Sequence, residues 1–182
     1  MAIRKEQRIT YEEWRETDFG ENTRSELIDG RIYMMSAPSR RHQEILGSMF
    51  GQLYNHLRGK SCKVYLSPFA VRLSDDTEVL PDLVVVCDTK KLTTAGMAGS
   101  PDLVVEILSP STSSYDKFTK FTLYLQSGVP EYWIVDPTDS TVTAFRLAGN
   151  SYTATIFTEA GPATINALPG FEMDLSAVFA EE

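Results

Sequence analysis

The sequence predicts a mixed α/β (α+β) fold built around one sheet. Two nearly continuous apolar runs, at residues 79–87 and 103–108, are typical of central strands covered on both faces. Residues 39–57 instead repeat their apolar side chains at helical spacing. At 182 residues the chain is long enough to bury a substantial core, so we expect one domain over residues 1–182.

Three segments carry helix signals. A capping box at residues 10–13 predicts a short helix near the start of the chain. The apolar spacing of residues 39–57 predicts a long helix. A third helix over about residues 111–127 would be capped by Ser111 or Thr112 and would end before a glycine.

The remaining segments read as strands and turns. Residues 26–34 predict a hairpin around an Asp-Gly turn. The connector at residues 88–101 contains two glycines, and we expect it to be a flexible loop at the cleft. The end of the chain alternates polar and apolar residues, which predicts additional antiparallel strands in a solvated meander, at residues 141–147, 151–157 and 163–168.

Composition restricts the protein class. No apolar stretch approaches the length of a membrane span, and the N-terminus lacks the apolar core of a secretory signal. Cys62 and Cys87 show no metal-ligand spacing, so we expect no disulfide scaffold or zinc cluster, and a cytoplasmic location. The net charge of −8 disfavours a nucleic-acid binder, unless basic residues and bound cations gather at a cleft.

Two acids stand inside the apolar runs. Asp82 follows Pro81 at the head of one strand, and Glu106 interrupts the next. A buried carboxylate is costly unless it is paired, hydrogen-bonded or bound to a metal. Because consecutive strands usually neighbour each other, the two carboxylates can meet, and a divalent cation would relieve their repulsion. The carbonyl of Ile107 would be near enough to act as an additional oxygen ligand.

Lys120 lies on one helical stripe with Asp116 and Tyr124. Neighbouring apolar residues put it near the boundary of the core. By spacing alone, the favoured interpretation is a surface lysine paired with Asp116.

Two further residues have two interpretations each, and a third belongs to a basic cluster. Glu26 is either a third acid at the cation or an ordinary glutamate at the start of a strand. His42 either contacts phosphate or water, or is a polar residue at a helix N-terminus. Arg40 belongs to a modest basic cluster with Arg24 and Arg41.

These residues occur in a recognisable order, and the motifs combine in one chain. They are Glu-Leu-Ile-Asp-Gly at 26–30, His42, Pro-Asp at 81–82, Val-Glu-Ile-Leu-Ser-Pro-Ser-Thr at 105–112, the series Asp116, Lys120 and Tyr124, and Gly-Val-Pro-Glu-Tyr-Trp-Ile-Val-Asp-Pro at 128–137. The chain resembles the Uma-type (Uma two) restriction endonuclease family of the PD-(D/E)XK nuclease superfamily from about residue 11 to 179. The resemblance implies a restriction-endonuclease-like mixed central sheet flanked by helices.

The resemblance also implies roles for the residues. Asp82, Glu106 and Ile107 would bind Mg²⁺, with Mn²⁺ as a substitute, and Glu26 would support the metal or its water. The superfamily pattern places a lysine two residues after the second acid, where this chain has Leu108. In the Uma-type pattern the lysine has moved to the following helix, which makes Lys120 the catalytic lysine. His42, Arg40 and Tyr124 are candidates for substrate contact.

The expected function is therefore Mg²⁺-dependent hydrolysis of DNA phosphodiester bonds by activated water, carried out by a cytoplasmic homodimer that spans a duplex. The alternative is a catalytically silent module that keeps the nuclease fold for binding. The net charge favours the alternative, whereas the four residues Glu26, Asp82, Glu106 and Lys120 favour the nuclease.

Overall fold

The computed structural model of the chain describes residues 8–21, 23–109 and 115–180. Within these residues there are four α-helices: α1 (Tyr11–Glu16), α2 (Arg40–Leu57), α3 (Tyr115–Gln126) and α4 (Leu175–Phe179). The same residues form thirteen strands: β1 (Arg24–Ile28), β2 (Arg31–Met35), β3 (Lys63–Leu66), β4 (Ala70–Ser74), β5 (Thr77–Val79), β6 (Leu83–Val86), β7 (Gly96–Ala98), β8 (Leu103–Ile107), β9 (Glu131–Asp136), β10 (Thr141–Ala148), β11 (Ser151–Thr158), β12 (Ala163–Thr164) and β13 (Glu172–Met173).

The predicted mixed α/β class is confirmed, but the expectation of one sheet is wrong. The strands form a five-stranded sheet in the order β2-β1-β5-β4-β7, a six-stranded sheet in the order β11-β10-β9-β8-β6-β3, and the pair β12-β13. In the six-stranded sheet β8 and β9 are parallel, and the other neighbours are antiparallel.

Pro81 explains why the first apolar run does not form one strand. The run divides into β5, which belongs to the five-stranded sheet, and β6, which belongs to the six-stranded sheet. Proline has no N–H to donate to a ladder, so a strand is interrupted at this position. The chain crosses between the two sheets at residues 80–82, and the last residue of this crossover is Asp82, the first of the two unusual acids.

The six-stranded sheet is the centre of the molecule. Its strands β6, β8 and β9 are buried along nearly their whole length, as their apolar sequences predicted. One face packs against α2 and α4 through side chains such as Met49, Leu53 and Phe179. The other face packs against α3 and the five-stranded sheet, through residues such as Tyr124 and Ile28. The sheet therefore lies between two layers.

The helix signals correspond well to the observed helices. Thr10 and Glu13 form the predicted capping box of α1. The Ser39 side chain accepts a hydrogen bond from the His42 N–H and caps α2. The predicted caps of α3, Ser111 and Thr112, lie outside the described residues. No helix in the described ranges combines the length and apolar content that a membrane crossing requires.

The connector after β6 is ordered, so the prediction of a flexible loop is wrong. It contains a short 3₁₀ helix, Thr89–Lys91, and the strand β7, which pairs in parallel with β4. Gly96 permits this pairing, because a Cβ there would lie 2.2 Å from the Ala70 carbonyl oxygen.

Two other expectations need correction. Cys62 and Cys87 form a disulfide, although the sequence predicted no disulfide scaffold. They directly precede β3 and follow β6, whose antiparallel register makes them neighbours. The predicted meander exists as the β10–β11 hairpin, but β12 pairs with β13 and does not continue it.

Candidate active site

Asp82 and Glu106 come together because β6 and β8 are antiparallel neighbours, as predicted. Leu83 pairs with Val105, which places Asp82 and Glu106 at the next position of the same register. The Asp82 Oδ2 atom accepts a hydrogen bond of 2.8 Å from the Ile107 N–H. The acid pair thus stands at one end of the central strands.

Lys120 reaches this pair from α3. Its Nζ atom lies 2.9 Å from Glu106 Oε1 and 3.0 Å from Glu26 Oε1, and its side chain is 13% exposed. The interpretation as a surface lysine is therefore wrong. The spacing along the helix was correct, but it could not reveal that this stripe faces two carboxylates on other elements.

Glu26 is a buried residue of β1, and it links the two large sheets. Its Oε1 atom accepts hydrogen bonds from Lys120 Nζ and, at 2.8 Å, from the Leu80 N–H at the crossover between the sheets. Its side chain is only 4% exposed, so it is not an ordinary solvated glutamate.

His42 and Tyr124 each hold one acid of the pair. His42 Nε2 lies 3.1 Å from Asp82 Oδ2, which assigns the proton to Nε2, and its buried Nδ1 has no partner among the described residues. The Tyr124 hydroxyl donates a hydrogen bond of 2.7 Å to Glu106 Oε1 and is fully buried. Both residues, proposed for substrate contact, touch the carboxylates themselves.

Arg40 is not brought to the acids. Its exposed side chain pairs with Glu44 on the same helix, and it does not line the cavity described below. Arg41 donates to the carbonyls of Phe179 and Ala180 at the end of α4. Arg24 alone of the predicted basic cluster lines the cavity.

A cavity of about 360 Å³ opens beside the acids. Glu26, Asp82, Glu106, Ile107 and Lys120 line it together with His42. Sequence reasoning missed other residues of its wall, among them Tyr33, Met34, Gln43, Ser67 and Tyr132. One signal could have found Tyr33: the register set by the Asp-Gly turn pairs it with Glu26.

Burial and neighbouring charges shift the pKa values of two residues of the cluster, Glu106 and Lys120. Burial raises the pKa of Glu106 to about 7, Lys120 opposes this rise, and the nearby Asp82 and Glu26 add to it. Burial alone would lower the pKa of Lys120, but Glu106 and Glu26 raise it well above its usual value. Because the carboxylates of Glu106 and Glu26 share one ammonium group and Asp82 lies nearby, Lys120 stays charged while the pKa of Glu106 is raised.

The donor set fits a hard cation better than zinc. Among the described residues, no three His, Cys, Asp or Glu side chains are grouped so as to hold a metal by themselves. Asp82 Oδ1 and Glu106 Oε2 accept no hydrogen bond from a described residue, whereas the second oxygen of each carboxylate is fixed by the protein. Two carboxylate oxygens, a carbonyl and several waters suit Mg²⁺.

The hydrogen bond from the Tyr124 hydroxyl to Glu106 can be tested by mutation. Tyr124→Phe is expected to lower the free energy of unfolding by about 1–2 kcal/mol, because a buried hydrogen bond to a carboxylate is lost. Chemical denaturation at pH 8 measures the effect. The matched control is Tyr152→Phe, which loses a hydroxyl bonded to the Val129 carbonyl. Only the first change should alter metal binding; equal metal affinity in both variants would contradict the role of Tyr124.

The fold belongs to a class that includes a solved nuclease-like structure. A crystal structure of a "putative nuclease belonging to DUF820" from Anabaena variabilis superposes with a TM-score of 0.78. It is 20% identical in sequence, and the match covers 94% of this chain and 97% of that one.

The chain belongs to the Uma2 family, described as "Putative restriction endonuclease", whose pattern matches residues 10–177. It is 29% identical over 141 residues to the uncharacterized protein slr1290 of Synechocystis sp., covering 76% of this chain and 74% of that protein. It is 22% identical over 140 residues to the uncharacterized protein sll1609 of the same organism, covering 75% and 79% respectively.

Proposed function

We propose that the protein is a Mg²⁺-dependent endonuclease that hydrolyses DNA phosphodiester bonds. The observation that carries the proposal is the convergence of Glu26, Asp82, Glu106 and Lys120 at one cavity. They come from β1, the start of β6, β8 and α3, and Lys120 lies within 3.0 Å of two of the acids. Membership of a family described as restriction endonucleases supports DNA as the substrate.

Asp82, Glu106 and the Ile107 carbonyl would hold the cation, with Mn²⁺ as a substitute. When bound, Mg²⁺ supplies Lewis-acid stabilisation of phosphate charge and favours deprotonation of water. His42 and the Ile107 N–H hold Asp82 through its Oδ2 atom, and Tyr124 holds Glu106 through its Oε1 atom. The other oxygen of each carboxylate is left for the cation. The two remaining oxygens are thereby preoriented.

Lys120 would orient the attacking water and stabilise the charge that develops on the phosphate. An ammonium group has three donors, and two of them contact Glu106 and Glu26. The third is available to a water or a phosphate oxygen in the cavity. Glu26 then acts through Lys120, because its bonded oxygen is shared between Lys120 and the Leu80 N–H.

Because a protein with a net charge of −8 repels DNA, positive charge at the cavity has to attract the DNA locally. Arg24 lines the cavity, and bound cations would offset the three carboxylates there. We further propose a cytoplasmic homodimer. The reducing environment of the cytoplasm would convert the Cys62–Cys87 disulfide into two thiols.

Plasmid cleavage tests the function. Supercoiled plasmid and single-stranded DNA are incubated with the purified protein in Mg²⁺, in Mn²⁺ or in chelator, beside Glu106→Gln. We expect metal-dependent cleavage by the wild type and none by Glu106→Gln, because the variant loses a carboxylate at the cation. Cleavage that survives Glu106→Gln would come from a contaminant and would overturn the assignment.

A thermal shift separates metal binding from catalysis. Mg²⁺ or Mn²⁺ is expected to raise the melting temperature of the wild type but not of Asp82→Ala combined with Glu106→Ala. Glu172→Gln, at an exposed glutamate of β13, is the control and should respond like the wild type. A metal shift without cleavage of any DNA would indicate the silent binding module instead.

A further inference from the structure

The two large sheets have four outer strands, and these differ in how their free edges are protected. Strands β3 and β7 contain only four and three residues. Strand β2 carries Arg31 and contributes three residues to the wall of the cavity. Strand β11 has eight residues, Ser-Tyr-Thr-Ala-Thr-Ile-Phe-Thr, with no charge and no proline, and six of the eight are exposed.

An edge of this kind is a template for pairing. An outer strand presents unpaired N–H and C=O groups, and proteins usually block such an edge with lysine, proline, a bulge or a short length. Strand β11 has none of these, and its pairing with β10 is regular over all eight residues. No strand among the described residues pairs with its other side, which therefore offers an equally regular ladder.

Large apolar side chains flank this edge. The register Glu106–Ile134–Thr143–Ile156 runs straight across four strands, so Ile156 lies on the face covered by α3 and is 67% exposed. In α3, the Phe121 ring packs 5.4 Å from that of Tyr152 in β11. Phe118 is one turn earlier and 77% exposed. The exposed apolar side chains thus come from both β11 and α3, which are in contact.

The charge of this region favours a second copy of the chain as its partner. Two copies with a net charge of −8 repel each other over most of their surface. Residues 141–158 contain one charged side chain, Arg146, which is already paired with Glu131 at 3.2 Å. An antiparallel strand pair about a two-fold axis is self-complementary, so the same neutral strand serves both copies.

We propose that β11 pairs in antiparallel orientation with β11 of a second copy, joining two six-stranded sheets into one continuous sheet. Ile156 and Phe118 would pack across the two-fold axis and add side-chain burial to the backbone ladder. This gives the proposed homodimer a defined interface, and it does not depend on DNA cleavage.

The geometry leaves each cavity complete within its own subunit. Strand β11 is separated from β8, which carries Glu106, by β9 and β10. Antiparallel pairing reverses the strand direction across the axis, so the two acid clusters lie at opposite ends of the continuous sheet. Substitutions in β11 can therefore change assembly without touching the site.

Light scattering after gel filtration tests the interface on the full chain over a range of concentrations. The wild type is expected to be a dimer, and Thr153→Lys combined with Ile156→Lys is expected to weaken dimerisation at least about tenfold, because like charges oppose each other across the strands. The two lysines reduce the net negative charge, so general repulsion cannot explain the loss. Tyr54→Lys, at an exposed aromatic residue of α2, is the control and should remain dimeric.

Hydrogen exchange provides a measurement that is specific for strand pairing. In the dimer, alternate amides of β11 are expected to exchange more slowly than at monomer concentrations. An unchanged far-UV circular dichroism spectrum and a cooperative unfolding transition would show that the double lysine variant is folded. A monomeric wild type would overturn both the homodimer and the interface. A dimer that persists in the lysine variant, or shows no β11 protection, would overturn the interface alone.

Discussion

Lys120→Met is expected to destabilise the fold by about 3–5 kcal/mol at pH 8, because removing one partner of a buried ion pair leaves an uncompensated charge. Here Glu26 and Glu106 would both lose their shared cation. The loss should be smaller at pH 5, where Glu106, whose pKa is raised to about 7, holds a proton. Urea denaturation at the two pH values measures the difference, and DNA cleavage should disappear in the same variant.

The control and the rescue make this prediction specific. Lys90→Met changes an exposed lysine of the 3₁₀ helix and should cost little. Adding Glu26→Gln and Glu106→Gln to Lys120→Met removes the two carboxylates that have lost their cation, and it should restore much of the free energy of unfolding. If Lys120→Met costs no more than Lys90→Met, the buried ion pairs do not form in solution.

Without metal, the free energy of unfolding is expected to fall as pH rises from about 4.5 to 7. Glu106 keeps its proton in the folded state up to a pKa of about 7, whereas the unfolded chain releases it near its ordinary pKa of 4.5. The folded state therefore binds more protons across this range, and stability decreases as they are lost. The stabilisation is complete below pH 4.5 and is lost as the pH rises through 7.

The magnitude follows from the pKa difference. One pKa unit corresponds to about 1.4 kcal/mol, so Glu106 accounts for a decrease of roughly 3 kcal/mol. Glu106→Gln should remove this decrease, and Glu172→Gln should keep it. Denaturation at several pH values in chelator measures both variants. Parallel stability curves for wild type and Glu106→Gln would contradict the raised pKa.

The sequence predicted the proximity of Asp82 and Glu106 well, because this prediction depends only on two consecutive strands. Two apolar strands joined by one short connector are neighbours in most folds, and an acid inside each must then be near the other. What it could not predict was the division of residues 79–87 between two sheets. A continuous apolar run has no alternation to show which face, or which sheet, each part belongs to.

The sequence could not predict the partners of Lys120, for a different reason. A helical stripe identifies neighbours on the same helix, but Glu26 and Glu106 are 94 and 14 residues away. Only the family resemblance suggested that Lys120 belongs to the site. The carboxylate partners of His42 and Tyr124 depend on the same long-range packing. The sequence therefore predicted that these two residues contact the substrate, whereas they contact Asp82 and Glu106.

The link between Glu26 and Lys120 also has a consequence for the order of folding. It joins the five-stranded sheet to the helix that covers the six-stranded one, across 94 residues of chain. Closing so long a loop is entropically expensive, so this contact should form late, after each sheet has collected its own strands. A cation held at the completed cluster would then bind the finished protein and no earlier intermediate, so the amount of metal bound during refolding would measure how many molecules have completed folding.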